Sequence, residues 1–196
     1  MHDCFIGLVL GQLLTGTLGV LAITTEFSAG MIRATFAAAP RRPLVLAAKA
    51  AVLGAVTLTA GEVAAFAAYL AGQSALRAPA PHATLGQPGV LRAVLMAGAY
   101  PALIALIGLG FGALIRHTAG AICALVGVLF VLPLLFFSPG LQDAAQNFAP
   151  HPMANAMTAV KPLAHALPAG LMFGLLCVYA LAALAAGSWA LTHRDA

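Results

Sequence analysis

Charged side chains are nearly missing from this sequence: five Asp and Glu and nine Lys and Arg make up 7% of 196 residues. A soluble domain carries about a quarter of its residues charged, because its outside must be wetted. Hydrophobic residues reach 62%, and mean hydropathy is +1.01. A soluble fold of this size has no way to hide that much apolar surface, whereas lipid removes the need to hide it. The nine cations stand singly or in pairs, which excludes the clustered basic face that grips nucleic acid.

Catalytic signatures are also absent. The two lysines, Lys49 and Lys161, are followed by Ala and Pro. A phosphate-binding loop needs Lys followed by Ser or Thr behind a Gly-rich turn. There is no HExxH, and none of Ser28, Ser74, Ser138 or Ser188 sits in GxSxG. Asp3, Glu26, Glu62, Asp143 and Asp195 form no close pair in sequence. Cys4, Cys123 and Cys177 are an odd count without CxxC spacing, and the last two read as small buried apolar side chains. No pair among His2, His82, His117, His151, His165 and His193 has helical metal-ligand spacing. His82, His151 and His165 share one predicted side and read as loop histidines. The expectation is a chain that is no enzyme and holds no cofactor or metal.

Long apolar runs dominate what is present. They cover about 5–25, 44–72, 91–115, 119–137 and 169–191, and each reaches the ~20 residues that cross a hydrocarbon core. Helix is their only state, since lipid cannot satisfy backbone groups and nothing alternates as barrel strands do. The expected fold is therefore an all-α integral membrane protein, a single transmembrane domain with about five spans. Gly7 with Gly11, Gly108 with Gly112, and Gly170 with Gly174 have GxxxG spacing and are candidates for close helix packing. Phe5, Phe66, Tyr69, Phe136, Phe137 and Trp189 fall near predicted interfaces, where aromatic rings settle.

Five spans put the termini on opposite sides. With loop 26–43, the 116–118 link and the tail inside, Arg33, Arg41, Arg42, Lys49, Arg116 and Arg194 face the cytoplasm, against Arg77, Arg92 and Lys161 outside. By the positive-inside rule this predicts an outer N-terminus and an inner C-terminus, with 73–90 and 138–168 as outer loops. The first run has no basic segment before it and is not a signal peptide. An outer N-terminus without a signal is explained most simply by a further span preceding Met1.

Two features carry functional expectations. Glu62 lies well inside the second run, where a carboxylate costs a few kcal/mol unless paired, protonated or facing water. Lys49 is thirteen residues away on the same helix, about 20 Å at 1.5 Å per residue, and out of its reach. In loop 26–43, Phe27, Met31, Thr35 and Ala38 share one helical face, and Pro40, Arg41 and Arg42 end the segment. Thr24 or Thr25 is a candidate N-cap, with Glu26 in the first turn. This predicts a short amphipathic cytoplasmic helix, either a membrane-surface connector or a docking element for a partner.

The stretch GVLAITTEFSAGMIRATFAAAPRRPLVLAAKAAVLGAV, residues 19–56, resembles the second span and cytoplasmic helix of ABC transporter permeases of the type-2 exporter class, in their bacterial, actinobacterial-like form. Glu26, Phe27, Gly30, Ile32, Arg33, Pro40, Arg41, Arg42 and Lys49 stand at the positions of that pattern. RHTAGAICALVGVLFVLPLL, residues 116–135, is similar to the family's junction between the fourth and fifth spans. The resemblance implies a permease subunit of an exporter in the bacterial plasma membrane, moving a substrate the sequence does not name. It implies a second permease copy as partner, and separate ATP-binding cassette subunits that hold the ATP and Mg. It assigns Glu26, Phe27, Gly30, Arg33, Arg41 and Arg42 to coupling with that ATPase. It also implies six spans with both termini inside, so this chain lacks the first, and makes 138–168 similar to an outer, partly re-entrant segment. Two other functions fit the residues: a proton-coupled carrier using Glu62, and a membrane scaffold that transports nothing.

Overall fold

The computed structural model describes residues 2–31, 42–75, 86–131, 134, 147–160 and 166–193. Among them the chain is all helical, with no strand. The elements are α1 (His2–Ser28), α2 (Arg42–Ala75), α3 (Val90–Ile115), α4 (Thr118–Val126) running into a π turn (Gly127–Val131), α5 (Pro150–Thr158) and α6 (Ala169–His193). Within the described residues, three helices are long and apolar enough to cross a membrane: Arg42–Ser74, Val90–Ile115 and Ala169–His193. Gln, Asn and charged residues are so sparse in these runs that intrahelical bonding is the only outlet for their backbone groups.

The centre of the bundle is α3, which packs against α1, α2, α4, α5 and α6. Over half of its apolar window, 56%, is buried, against 6% for α2, so α3 is the pillar and α2 a peripheral helix. Tyr100 and Ile104 of α3 meet Leu125, Leu129, Met153, Met157, Met172 and Leu176 in the main core. Approaches to the pillar run through glycine. A Cβ on Gly19 would overlap the Ala105 carbonyl, and one on Gly108 would overlap the carbonyl of Gly16. On the α2 side, a Cβ on Gly61 would overlap the carbonyl of Gly98; on the α6 side, one on Gly110 would stand 2.5 Å from the Ala183 backbone. Lipid offers no hydrophobic drive between helices, so this backbone-to-backbone contact is what holds them.

Of the glycines at GxxxG spacing, Gly108 and Gly112 do receive α1. Gly11, Gly170 and Gly174 have open space where a Cβ would stand, because they turn away from the neighbouring helices. The surroundings of Gly7 lie outside the described residues.

The start of loop 26–43 differs from the sequence expectation. Thr24 and Thr25 do not cap a new helix; their hydroxyls donate to the carbonyls of Val20 (3.0 Å) and Leu21 (2.7 Å), inside α1. Helix α1 runs on through Glu26 and Phe27 to Ser28. It ends where Gly30 takes the left-handed conformation (φ 68°), with the Ala29 and Gly30 amides bonded back to Thr25 and Phe27. Glu26 is thus in a last turn, not a first. Residues 32–41, where the rest of the expected amphipathic helix falls, lie outside the described residues.

The short link expected at 116–118 turns α3 into α4. Arg116 is left-handed (φ 61°) and its amide donates to the Gly112 carbonyl, closing α3, while Nδ1 of His117 accepts from the Gly120 amide and caps α4. Segment 138–168, expected as an outer loop, contains α5, which is wedged against α3, the π turn and α6.

Candidate functional site

At one end of the bundle the C-termini of α1, α3 and α6 meet the N-terminus of α2, and most of the described charge collects there. Lys49 Nζ bonds Glu26 Oε1 at 2.6 Å and also donates to the Ala22 carbonyl at 3.1 Å. Helix α1 ends there with the negative pole of its dipole, which disfavours Glu26 and favours Lys49. One ammonium therefore serves both the carboxylate and the helix end. Glu26 Oε2 is buried and has no hydrogen-bond partner among the described residues.

Two guanidinium groups finish α6. Arg42 Nη1 donates to the Leu191 carbonyl (2.8 Å) and Arg116 Nη2 to the Ala190 carbonyl (2.7 Å). These carbonyls belong to the last turn, where no further helical amide reaches them. Arg116 also lies over the Phe27 ring, 5.5 Å from its centroid. Among the described residues, Arg116 is the one non-glycine with positive φ. A left-handed backbone costs a non-glycine ~1–2 kcal/mol; the contacts to α6 and Phe27 explain why an arginine occupies it.

Of the residues assigned to coupling, the fold brings Glu26, Phe27 and Arg42 into this cluster, and Gly30 ends α1 beside it. Arg33 and Arg41 lie outside the described residues. Lys49 and Arg116 are members that the sequence reading did not assign a role. A lone lysine two turns into an apolar helix calls for a carboxylate, and Glu26 stands at the same end of the preceding helix; that is the available signal.

Toward the other end, three polar side chains from three helices converge. Tyr100 Oη donates to Gln12 Oε1 (2.6 Å), and the Gln12 amide nitrogen meets His151 Nδ1 at 3.2 Å. An amide NH2 can only donate, so Nδ1 accepts and the imidazole is neutral. Gln12 and Tyr100 are each 1% exposed. His151, read as a loop histidine, is half-buried on α5, with the Phe130 ring 5.8 Å from its own. Gln12 lies 139 residues from His151, so no local pattern announced the pair.

Burial pushes the His151 imidazole below its usual 6.5. The unfolded chain then binds this proton more readily than the folded one. Folding stability is expected to be complete above about pH 6.5 and to fall as pH drops below that value, until the folded imidazole titrates. Thermal unfolding in detergent between pH 7.5 and 5 measures it. In His151→Gln that slope should shrink; an unchanged slope would show that His151 is not its source.

Glu62 sits where α2 crosses α3. Its carboxyl fills the space left by the missing side chain of Gly98, so a Cβ there would stand 2.6 Å from Glu62 Cδ. Glu62 Oε2 is buried without a hydrogen-bond partner among the described residues. On the far side of α3 an apolar cavity of about 450 Å3 lies between Ile107, Phe111, Val128, Leu129, Tyr179 and Ala183. The π turn forms one wall, and Tyr179 Oη donates to the Phe148 carbonyl (3.1 Å) at its edge. Such a space suits an apolar group. Among the described residues no group of three His, Cys, Asp or Glu side chains is placed to hold a metal ion. No family model, curated protein or solved structure matches this chain.

Proposed function

We propose that this chain is the membrane-spanning permease subunit of an exporter energised by a separate ATP-hydrolysing subunit, in the bacterial plasma membrane. The observation that supports it is the charged end. Glu26–Lys49 ties α1 to α2, Arg42 ties α2 to α6, and Arg116 ties the α3–α4 link to both α6 and Phe27. Displacing the segment between α1 and α2 would therefore move four helices together, which is what an energy-coupling face requires. In this reading five segments cross the bilayer: α1, α2, α3, α4 with its π turn, and α6. In the same reading the charged end faces the cytoplasm, in keeping with the positive-inside rule applied to Arg42, Lys49 and Arg116. Glu26, Phe27, Gly30, Arg33, Arg41 and Arg42 form the docking side, and a second permease copy completes the pathway.

Purification from native membranes in mild detergent, with mass spectrometry of what remains bound, tests the proposal. A stoichiometric ATPase with a phosphate-binding loop is the expected result; a well-folded chain that is reproducibly alone would overturn it. The carboxyl oxygen of Glu62 that has no partner among the described residues favours one other reading, a proton-coupled carrier. Substrate flux that collapses with the proton gradient while ATP is held constant would select the carrier.

A further inference from the structure

Three helices share one line of hydrogen bonds inside the bundle. Tyr100 of α3 donates to Gln12 Oε1 of α1, and the Gln12 amide donates to His151 Nδ1 of α5. Both groups of the Gln12 amide are thereby used, each in one direction. Gln12 and Tyr100 are each 1% exposed, and Tyr100 belongs to the same core as Leu125, Met153 and Met172. Bulk water therefore cannot replace a bond that fails there. Helix α5 depends on this line at one end. Its C-terminal end is pinned to α3, where Arg92 Nη2 donates to the Ala159 carbonyl (3.1 Å). Its N-terminal end has no side-chain cap, since Ala149 stands at that position. That end is held by the Gln12–His151 bond and by Tyr179 Oη on the Phe148 carbonyl.

We infer that the Tyr100–Gln12–His151 line is a proton-operated latch: a proton taken up at His151 Nδ1 reverses the Gln12 amide and lets the N-terminal end of α5 swing away from α1 and α3. Polarity decides this. A neutral imidazole has one acceptor nitrogen, whereas an imidazolium has none and donates from both. Protonation sets the Nδ1–H donor against the Gln12 NH2 donor. Turning the amide over gives Oε1 to the imidazolium and NH2 to Tyr100 Oη, which then accepts. The Tyr100 hydroxyl hydrogen is left without an acceptor in an apolar core, a state that folded chains avoid. Among the described residues no carboxylate pairs with the imidazole. The titratable side chains described on the elements around it are Arg92 and Tyr100 on α3, Cys177, Tyr179 and the distant His193 on α6, and Glu26 at the opposite end of α1; the π turn and the rest of α5 carry none. Burial also holds the imidazole below its usual 6.5. Closed α5 thus binds the proton less well than open α5, so the latch is shut above about pH 6.5 and eases as pH falls below that value. Phe148 and Pro150, at the end that swings, are walls of the apolar cavity beside Leu129 and Tyr179, so the latch sets access to that cavity. It requires the fold alone and does not depend on the exporter reading.

Amide hydrogen exchange of the full chain in detergent micelles tests the latch. The Met153 amide donates to the Ala149 carbonyl (3.1 Å) and closes the first turn of α5. Its exchange, corrected for the intrinsic effect of pH, is expected to rise by up to about tenfold between pH 7.5 and 5.5. That is the most that one imidazole titrating near 6.5 in the open state supplies over this interval. Amides of α3 around Ile104 should stay protected over the same time, because the opening is local. In His151→Asn the side-chain oxygen stands near the place of Nδ1 and accepts from Gln12 at every pH, so the rise should vanish. No rise in the unaltered protein would overturn the inference. So would a rise that persists in His151→Asn, or exchange of α5 and α3 at one common rate, which would mean that the whole chain opens together. The first and last of these outcomes are read on the unaltered protein and hold even where the variant does not fold.

Discussion

Gly19→Val and Gly108→Val are each expected to cost the protein its folded state in detergent. The reason is what the added atoms would meet. At Gly19 the obstacle is the backbone of Ala105, with Leu109 N 3.0 Å from the Cβ position; at Gly108 it is the carbonyl of Gly16. Overpacking usually costs ~1–3 kcal/mol because side chains shift to make room. Backbone inside a helix cannot shift alone, so α1 must draw away from α3 along its length. That separation also exposes the Gln12–Tyr100 bond, which lies on the same α1–α3 contact. The expected loss exceeds ~3 kcal/mol, a large part of the ~5–15 kcal/mol by which proteins are stable. Gly174→Ala and Gly11→Ala are the matched controls, since open space surrounds both positions; each should stay within ~0.5 kcal/mol of the parent. Thermal unfolding and the monodisperse fraction after purification read the difference. Equal tolerance of all four substitutions would mean that α1 and α3 do not meet at their glycines.

The same glycines show where sequence reading stops. Spacing tells which residues share a helix face, yet not which face turns inward. Gly170 and Gly174 have the same spacing as Gly108 and Gly112, and only the second pair is covered by a neighbour. Gly16 and Gly19, which receive the pillar from α1, are three apart and match no packing motif. Helix extents, by contrast, were legible. The runs at 44–72, 91–115 and 169–191 became helices 42–75, 90–115 and 169–193, because an uninterrupted apolar run has one way to bond its backbone. Threonine misled at the end of α1. Its hydroxyl serves a helix cap and an i−4 carbonyl equally well, and Thr24 and Thr25 chose the carbonyls. His151 had no local signal, since its partner is brought to it by the packing of α1 against the pillar.

The Glu26–Lys49 pair is expected to behave asymmetrically when it is broken. Both side chains are about a quarter exposed, 24% and 22%, so the pair falls between exposed bridges worth ~0.2–1 kcal/mol and buried ones whose breaking costs ~3–5 kcal/mol. Glu26→Gln leaves Lys49 bonded to the Ala22 carbonyl, a cation at the negative pole of α1, and should cost about 1 kcal/mol. Lys49→Met removes the partner that Glu26 has among the described residues and leaves an anion at that same pole, for which about 2–3 kcal/mol is expected. The double variant should then resemble Glu26→Gln alone, being more stable than Lys49→Met, because neutralising Glu26 removes the stranded charge. A double-mutant cycle on unfolding in detergent measures this. Additive losses would show that the two side chains do not interact. If the charged end also carries force from an ATPase, Glu26→Gln should insert and fold yet hydrolyse ATP in the complex without moving substrate. Normal transport by a variant in which the cycle has shown the α1–α2 tie to be cut would leave this tie a structural role only, and would move the coupling function to the residues between the two helices.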